Sequence, residues 1–537
     1  MAVYLKPNIQ VDPLFNQWYA WNLLIPPVTA AVNTLERHLK MMTSFVNSPA
    51  MHAAALKNPA MRGGPFIDLD ARRVPEVKQL IDTTQKRCAH LVELAKAMAQ
   101  LNRTLQEKAK GMAMESLYAL VPEPLRGYVE LCYDMGNNPF FRVLEPLLYR
   151  SKYYAEECQS VALSPITQDR KRPFMLSTPR LAGGPGDDDP TIFLNLPFAD
   201  HRLDDLFRMK RTPEPFAAIA DRLKDVVPAS RLLPLFTEQA PPPARKYDGD
   251  GFRVRYLGHA TLLIESREVT ILTDPIISYT YDAAPGRFTF QDLPAEIDYV
   301  LITHSHHDHV HFETLLQLRH MTRHFIVPRN FDGFPQDPSL QLALTHTGFE
   351  RVHEVRDLDA IPIPGGSIVA LPFLGEHHDL NVQSRATYRI EIGGRSIVCV
   401  ADSSTPDAHL FDHVQQLFGK SDALFLGMEC EGAPASWIYG PMFTKPLTRD
   451  VDQSRRARGS NFAEAVALIE RLGFQSVFVY AMGQEPWLSH ILDNELTDES
   501  VSMSEARKLM AYCAARGIAA EQLFAQKEIL VGLEERT

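Results

Sequence analysis

Six consecutive residues near the middle of the chain, His304-Ser305-His306-His307-Asp308-His309, constrain it more than any other feature. Imidazoles and a carboxylate at the spacing H-x-H-x-D-H suit two metal ions side by side. In a loop leaving a strand, His304 and His306 can point to one ion while Asp308 and His309 turn to a second. The bland alternative is a solvated, histidine-rich turn. Histidine is only 19 of 537 residues, so the pattern arises by chance in about one such chain in a thousand. The metal reading prevails.

Such a loop needs a rigid frame. β-rich runs recur at 252–257, 261–265, 269–273, 299–303, 325–327, 368–373, 387–392, 396–401, 423–426 and 476–480, with a helical pattern at 462–472. Strands followed by mixed strands and helices predict a layered α/β domain. Two further candidate ligands follow such runs. Glu376 stands in Gly375-Glu376-His377-His378, and Asp402 follows 396–401. The two oxygens of Asp402 could bridge ions about 3.5–4 Å apart.

Upstream the texture differs. Apolar residues at helical spacing predict one long amphipathic helix over 72–111. Another helix-rich stretch, 117–154, is cut by Pro122, Pro124, Pro139 and Pro146, and a Gly/Asp-rich loop at 183–190 precedes a strand at 191–196. The N-terminal part therefore reads as a mixed, mostly helical domain. Pro241-Pro242-Pro243 marks its end, because three prolines cannot continue a helix or a central strand. Domains are expected at 1–245 and 246–537.

Composition narrows the function classes. A net charge of −11 disfavours a broad nucleic-acid surface. Six cysteines lie far apart with no CxxC pair, the usage of a reducing cytosol. The first residues lack a secretory pattern, and no apolar run approaches the roughly 20 residues that span a bilayer. The expected location is the cytoplasm.

Gly258-His259-Ala260-Thr261, Thr273-Asp274-Pro275 and the loop 304–309 resemble the metallo-β-lactamase superfamily over about residues 250–485. The resemblance implies a C-terminal αββα sandwich, with Asp274 as the carboxylate that steadies a ligand histidine. Read alone, Asp274 is equally a turn-former before Pro275. The departures inform more than the match. Hydrolases of the superfamily usually present Gly-His where this chain has Gly375-Glu376. A further histidine usually follows the last core strand, where this chain has Ala481-Met482-Gly483. Imidazole is lost and carboxylate gained. Asp308, Glu376 and Asp402 set three negative charges against the four of two divalent ions. Hard anionic oxygens favour iron or manganese over zinc. The chemistry tilts from hydrolysis to oxygen activation.

A narrower resemblance agrees. Glu376, Gln17-Trp18-Tyr19-Ala20-Trp21 with Ile25-Pro26-Pro27, Asn58-Pro59-Ala60-Met61 and Tyr480-Ala481-Met482-Gly483 are similar to the chloramphenicol-biosynthesis β-hydroxylase family over nearly the whole chain. Members of that family are non-haem diiron monooxygenases. The resemblance implies two iron ions, O₂ as co-substrate, and β-hydroxylation of an amino acid. That amino acid is held as a phosphopantetheine thioester on a carrier domain of a nonribosomal peptide synthetase. Carried over, His304, His306 and Glu376 would hold one iron, Asp308 and His309 the other, and Asp402 would bridge. Glu376 and Asp402 would thus stand at the chemistry itself. No Gly-rich dinucleotide fingerprint opens a helix, so an electron-donor protein is expected. The N-terminal domain would serve a homodimer and govern access to the metals.

Two rivals remain at this stage. One is a dinuclear zinc hydrolase of the same fold, with His377 or His378 as ligand in place of Glu376. The other is a binding protein with a structural metal, against which the sulfur-poor ligand set argues. His307 should point away from the metals, and His490 is expected at the surface or supporting the site from behind. Glu429-Cys430-Glu431-Gly432 belongs on the active-site edge, with no base to activate Cys430. Trp18, Tyr19 and Trp21 are expected to pack, at a subunit interface. Asp187, Asp188 and Asp189 read as a solvated loop rather than a calcium site.

Overall fold

The computed structural model describes residues 2–169, 172–183 and 189–532; Asp187 and Asp188 lie outside them. Two seven-stranded sheets form the C-terminal part. The first runs Val352–Val355, Thr322–Pro328, Ile297–Leu301, Thr270–Thr273, Leu262–Glu265, Phe252–Tyr256 and Lys527–Val531 in spatial order. Its parallel half comprises Thr270–Thr273 through Val352–Val355. The second runs Ala360–Ile363, Gly366–Leu371, Thr387–Ile392, Arg395–Cys399, Ala423–Gly427, Ser476–Tyr480 and Ala519–Gln522. It too is antiparallel at one side and parallel at the other. The last strand of the chain returns to pair with Phe252–Tyr256 in the first sheet, setting Val531 opposite Phe252.

Alternation explains why the sheets face each other. Phe252, Val254 and Tyr256 from the first sheet meet Ile368, Tyr388, Ile390 and Phe425 of the second in one buried core. The other face of the second sheet carries Val398, Leu424, Leu426, Val477 and Val479. It is covered by helices His409–Phe418, Phe462–Leu472 and Val501–Ala515. Asn461 and Glu464 close a capping box at the start of Phe462–Leu472, and Gly473 ends it in the left-handed region.

The outer face of the first sheet is buried differently. Helices Phe312–Leu318 and Leu340–His346 cover it, and their own outer faces continue into the N-terminal part without a break in the apolar core. That part holds a four-stranded sheet, Trp18–Tyr19, Ile9–Phe15, Gln159–Pro165 and Ile192–Leu194, and a smaller one of Glu214–Pro215, Ala2–Leu5 and Phe236–Thr237. No helix or strand lies between Thr237 and Phe252.

Two expectations fail here. The helix over 72–111 is two helices, Val74–Arg87 and Ala89–Lys108, because Cys88 leaves helical geometry (φ −102°, ψ 23°) and packs its sulfur 3.5 Å from that of Cys158. The stretch 117–154 is mostly short 3₁₀ turns and a hairpin, Val129–Tyr133 with Pro139–Val143, closed through Asn137 at φ 59°. The prolines there stand at the starts of short elements rather than inside one helix: Pro122 and Pro124 at a 3₁₀ turn, Pro139 at a strand and Pro146 in the first turn of Glu145–Leu148.

Candidate dinuclear metal centre

Three strands, from both sheets, deliver the candidate ligands from their carboxyl ends. Leu301 is followed by the loop of His304–His309, Leu371 by Glu376, and Cys399 by Asp402. The backbone is specialised at these points. Gly375 has φ +77°, and a Cβ there would sit 2.0 Å from Ser404 Oγ, so only glycine fits beside Glu376. Glu376 itself (φ 62°) and Ala401 (φ 45°) hold the left-handed conformation, a cost that packing must offset. At Gly427 a Cβ would meet Ala401 O at 2.6 Å and Asp402 Oδ1 at 2.9 Å; the bare backbone lets Asp402 approach.

Their donor atoms converge in three overlapping groups: His304, His306 and Glu376; His304, His309 and Asp402; and His259, Asp308 and His309, each within 4.8 Å. His306 Nδ1 is 3.0 Å from Glu376 Oε1, His309 Nε2 is 3.0 Å from Asp402 Oδ2, and His309 Nε2 is 3.7 Å from Asp308 Oδ2. Ligands about 2.0–2.2 Å from a shared ion lie at comparable separations. His304 Nε2, His306 Nε2 and Asp402 Oδ1 are buried without a hydrogen-bond partner, an arrangement that costs free energy unless a cation satisfies them.

The electrostatics argue the same way. Burial holds His306 down to about 4 and His304 well below the ordinary range, so both are neutral and able to ligate. Burial, then repulsion from Asp402 and Asp308, push Glu376 well above the usual carboxylate range. Cations between these carboxylates reverse that repulsion. The residues fit a dinuclear centre.

Support comes from behind. Asp274 Oδ2 lies 2.8 Å from His309 Nδ1, and the same carboxylate accepts from Thr303 N (2.7 Å) and Thr303 Oγ (2.5 Å). His259 was read only as part of a motif. Its Nε2 is in fact 3.2 Å from Asp308 Oδ2. Its place directly before the Thr261 turn was the available signal. His307 turns to the Ile491 carbonyl (2.8 Å) and meets the edge of Trp21. The donor atoms of His377 and His378 join none of the three groups; their Nδ1 atoms pair with Tyr439 Oη and Arg455 O, both at 2.9 Å.

The N-terminal part seals the loop. Asn22 donates to the Ser305 carbonyl. Arg172 binds Asp12 (2.5 Å) and Glu313 (2.5 and 3.1 Å), and Glu313 also accepts from Tyr19 and Tyr279, both at 2.7 Å. Trp18, which stacks on His38 at 4.0 Å, and Trp21 are buried within the chain against this junction, not at a surface between subunits. His490 is likewise buried, beside His311 and Glu313, which corrects any surface placement. Asn22, Arg172 and Glu313 gave no sequence signal, since each acts on a partner more than 100 residues away.

A cavity of about 540 Å³ opens beside the centre. His306, Asp308, Glu376 and Asp402 form its floor, Glu429 and Glu431 one side, and Pro59–Pro65 with Phe174 and Leu176 its roof. Asn58 caps the roof turn through Ala60 N (3.1 Å), and Gly63 N donates to Asp493 (2.7 Å), tying roof to wall. Desolvation and the neighbouring Asp402 and Asp308 push Glu429 up to about 8.

Fold and site together define a metallo-β-lactamase-type protein with a dinuclear centre rich in carboxylate. Residues 253–425 match the β-lactamase superfamily domain, and residues 4–241 match the diiron non-haem β-hydroxylase N-terminal domain. The chain is 36% identical to the 4-amino-L-phenylalanyl-[CmlP-peptidyl-carrier-protein] 3-hydroxylase of Streptomyces venezuelae, over 98% of this chain and 100% of that protein. It is also similar to the crystal structure of CmlA, a diiron β-hydroxylase from Streptomyces venezuelae. The TM-score is 0.91 at 35% identity, covering 99% of this chain and 100% of that one. A Glu-to-Asp variant of CmlA matches at TM-score 0.89 and 35% identity, covering 98% and 100%. The chain belongs to the diiron non-haem β-hydroxylase family. Among the described residues no helix is long and apolar enough to cross a membrane.

Proposed function

We propose that this chain hydroxylates the β-carbon of an amino acid presented as a thioester on a carrier domain of a nonribosomal peptide synthetase. In this reading His304, His306 and Glu376 would hold one iron, Asp308 and His309 would hold the other, and Asp402 would contribute to both. The observation that carries it is the joining of Glu376 to His304 and His306, with Glu376 and His306 open to the cavity. Three carboxylates nearly balance two divalent ions and favour iron over zinc. The cavity volume is that of a site for a sizeable small-molecule group.

Bound iron supplies the chemistry of O₂. The polypeptide binds, orients and excludes water. Asp274 and Thr303 fix the ring of His309, Asn22 fixes the loop at Ser305, and the segment Pro59–Pro65 lines the cavity beside the centre. One oxygen atom enters the product and the other leaves as water, which consumes two electrons from outside the chain. An electron-donor protein supplies them.

The N-terminal domain governs access through that roof and mediates a homodimer. Exposed Met112, Tyr118, Leu120 and Met135, clustered in one part of that domain, support the second role. Sedimentation shows a dimer if this is right, and a monomer at micromolar concentration removes it.

The deciding experiment loads carrier domains with different amino acids and supplies reductant and O₂. A product heavier by one oxygen atom at the β-carbon supports the reading. Two zinc ions per natively purified chain, with no iron absorption and no product, defeats it.

A further inference from the structure

The metal cavity is lined mainly by carboxylates and apolar groups, yet three arginines among the described residues also reach it: Arg37, Arg62 and Arg456. Two are committed. Arg62 pairs with Glu495 across the roof. Arg37 is buried, and its guanidinium donates to Trp437 O (2.8 Å), Ile438 O (2.7 Å) and Asn33 Oδ1 (2.9 Å). Arg456 differs. It is half-buried and lines the cavity, and among the described residues its side chain hydrogen-bonds only the neutral amide of Gln453, at 2.9 Å.

The root of Arg456 is nevertheless fixed. Its backbone bridges to Pro434, and the next residue, Ala457, donates to Ala433 O at 2.9 Å and accepts from Gly432 N at 2.8 Å. A cation on a fixed root at a rim is a preorganised anion receptor. The surrounding segment strengthens it. Residues 445–458 carry Lys445, Arg449, Arg455, Arg456 and Arg458 against Asp450 and Asp452. Asp452 is occupied by Ser436 N (2.8 Å) and Oγ (2.6 Å). Among the described residues, Arg458 alone of the five cations has a carboxylate partner, Glu464 at 3.3 Å. In a chain of net charge −11, this is a locally positive segment, of which Arg456 and Ala457 line the acidic cavity.

A metal ion gains nothing from that cation; an anion entering from outside does. We propose that Arg456 binds the phosphodiester of the phosphopantetheine arm at the cavity mouth, so that the arm runs inward to the metal centre. The inference rests on the carrier-thioester reading above. A guanidinium offers paired N–H donors to two phosphate oxygens, a match that a single ammonium cannot reproduce. The Lys445–Arg458 segment draws the anion to the rim, and Arg456 fixes its register.

The test uses the iron-loaded full chain and two probes that differ only in the phosphate, 4′-phosphopantetheine and pantetheine. Wild type is expected to bind the phosphorylated probe about ten-fold more tightly. Arg456→Glu abolishes the preference, and Arg456→Lys keeps part of it with iron content unchanged. Arg449→Glu, the same charge change nearby, leaves most of it. No preference in wild type, a preference that survives Arg456→Glu, or an equal loss in Arg449→Glu each overturns the assignment. Turnover separates this from the parent reading. If wild type hydroxylates loaded carriers and Arg456→Glu does so with unchanged KM, the anchor is wrong and the hydroxylase stands. If wild type hydroxylates no loaded carrier, the carrier reading itself falls.

Discussion

One carboxylate separates this centre from an imidazole-rich one. Glu376 lies 3.0 Å from His306 Nδ1 and occupies a left-handed backbone position next to a glycine that cannot be replaced. Substituting Glu376→His exchanges an anionic oxygen for a neutral nitrogen, so bound metal is expected to shift from iron towards zinc and hydroxylation to be lost. Elemental analysis of the purified variant checks this; unchanged iron content and activity would falsify the ligand role. Asp274 acts one layer out. Its carboxylate accepts from Thr303 N and Thr303 Oγ while facing His309 Nδ1. Asp274→Asn forces a donor into that set and is expected to weaken metal retention about 10–100-fold, read as iron remaining after dialysis against a graded chelator.

At the scale of elements, helix Phe312–Leu318 is the hinge between the two parts of the chain. It begins three residues after the metal loop ends, and its Glu313 is gripped by Arg172, Tyr19 and Tyr279. Arg172 is nearly buried and bridges two carboxylates that are almost wholly buried. Burial alone would pull its guanidinium down, but Glu313 and Asp12 hold it well above its ordinary range, so it stays charged. Arg172→Met leaves buried Glu313 without a cation and Asp12 with Arg180 alone. The expected loss is about 3–5 kcal/mol in folding stability, measured by denaturant titration at constant iron content. A loss under about 1 kcal/mol would mean that the network behaves as a solvated surface pair.

For the whole molecule, the contact between domains predicts a pH response remote from the metals. Glu145, from the N-terminal part, is buried against Asn330 and Ser339 of the catalytic part. Burial, with a further push from nearby Asp337, raises it from 4.5 to about 8, against opposing hydrogen bonds. The folded state therefore holds this proton over a window in which the unfolded chain has released it. Its contribution is fully present below pH 4.5 and is lost progressively as pH rises towards 8, on the order of a few kcal/mol. Glu145→Gln keeps the shape without the charge. Its melting temperature should exceed that of wild type at pH 8 and match it near pH 5; parallel pH profiles would show that Glu145 does not titrate in this window.

Much of this protein was legible from local pattern. The spacing in His304–His309, the ten β-rich runs and the helix at Phe462–Leu472 depend on neighbours a few residues apart, and all lie in the observed layers. Within the two seven-stranded sheets, four edge strands were not legible: Val352–Val355, Ala360–Ile363, Ala519–Gln522 and Lys527–Val531. They are short and only partly buried, so their alternation is weak. The same limit applied at the site. His304, His306, Asp308 and His309 announced two metals by themselves. That Glu376 and Asp402 reach the same point, that His259 stands against Asp308, and that Asn22 and Arg172 brace the loop from another domain were decided by the tertiary structure. Local chemistry is written in spacing along the chain. Convergence from strands hundreds of residues apart is set by how the two sheets pack and by the domain that closes over them.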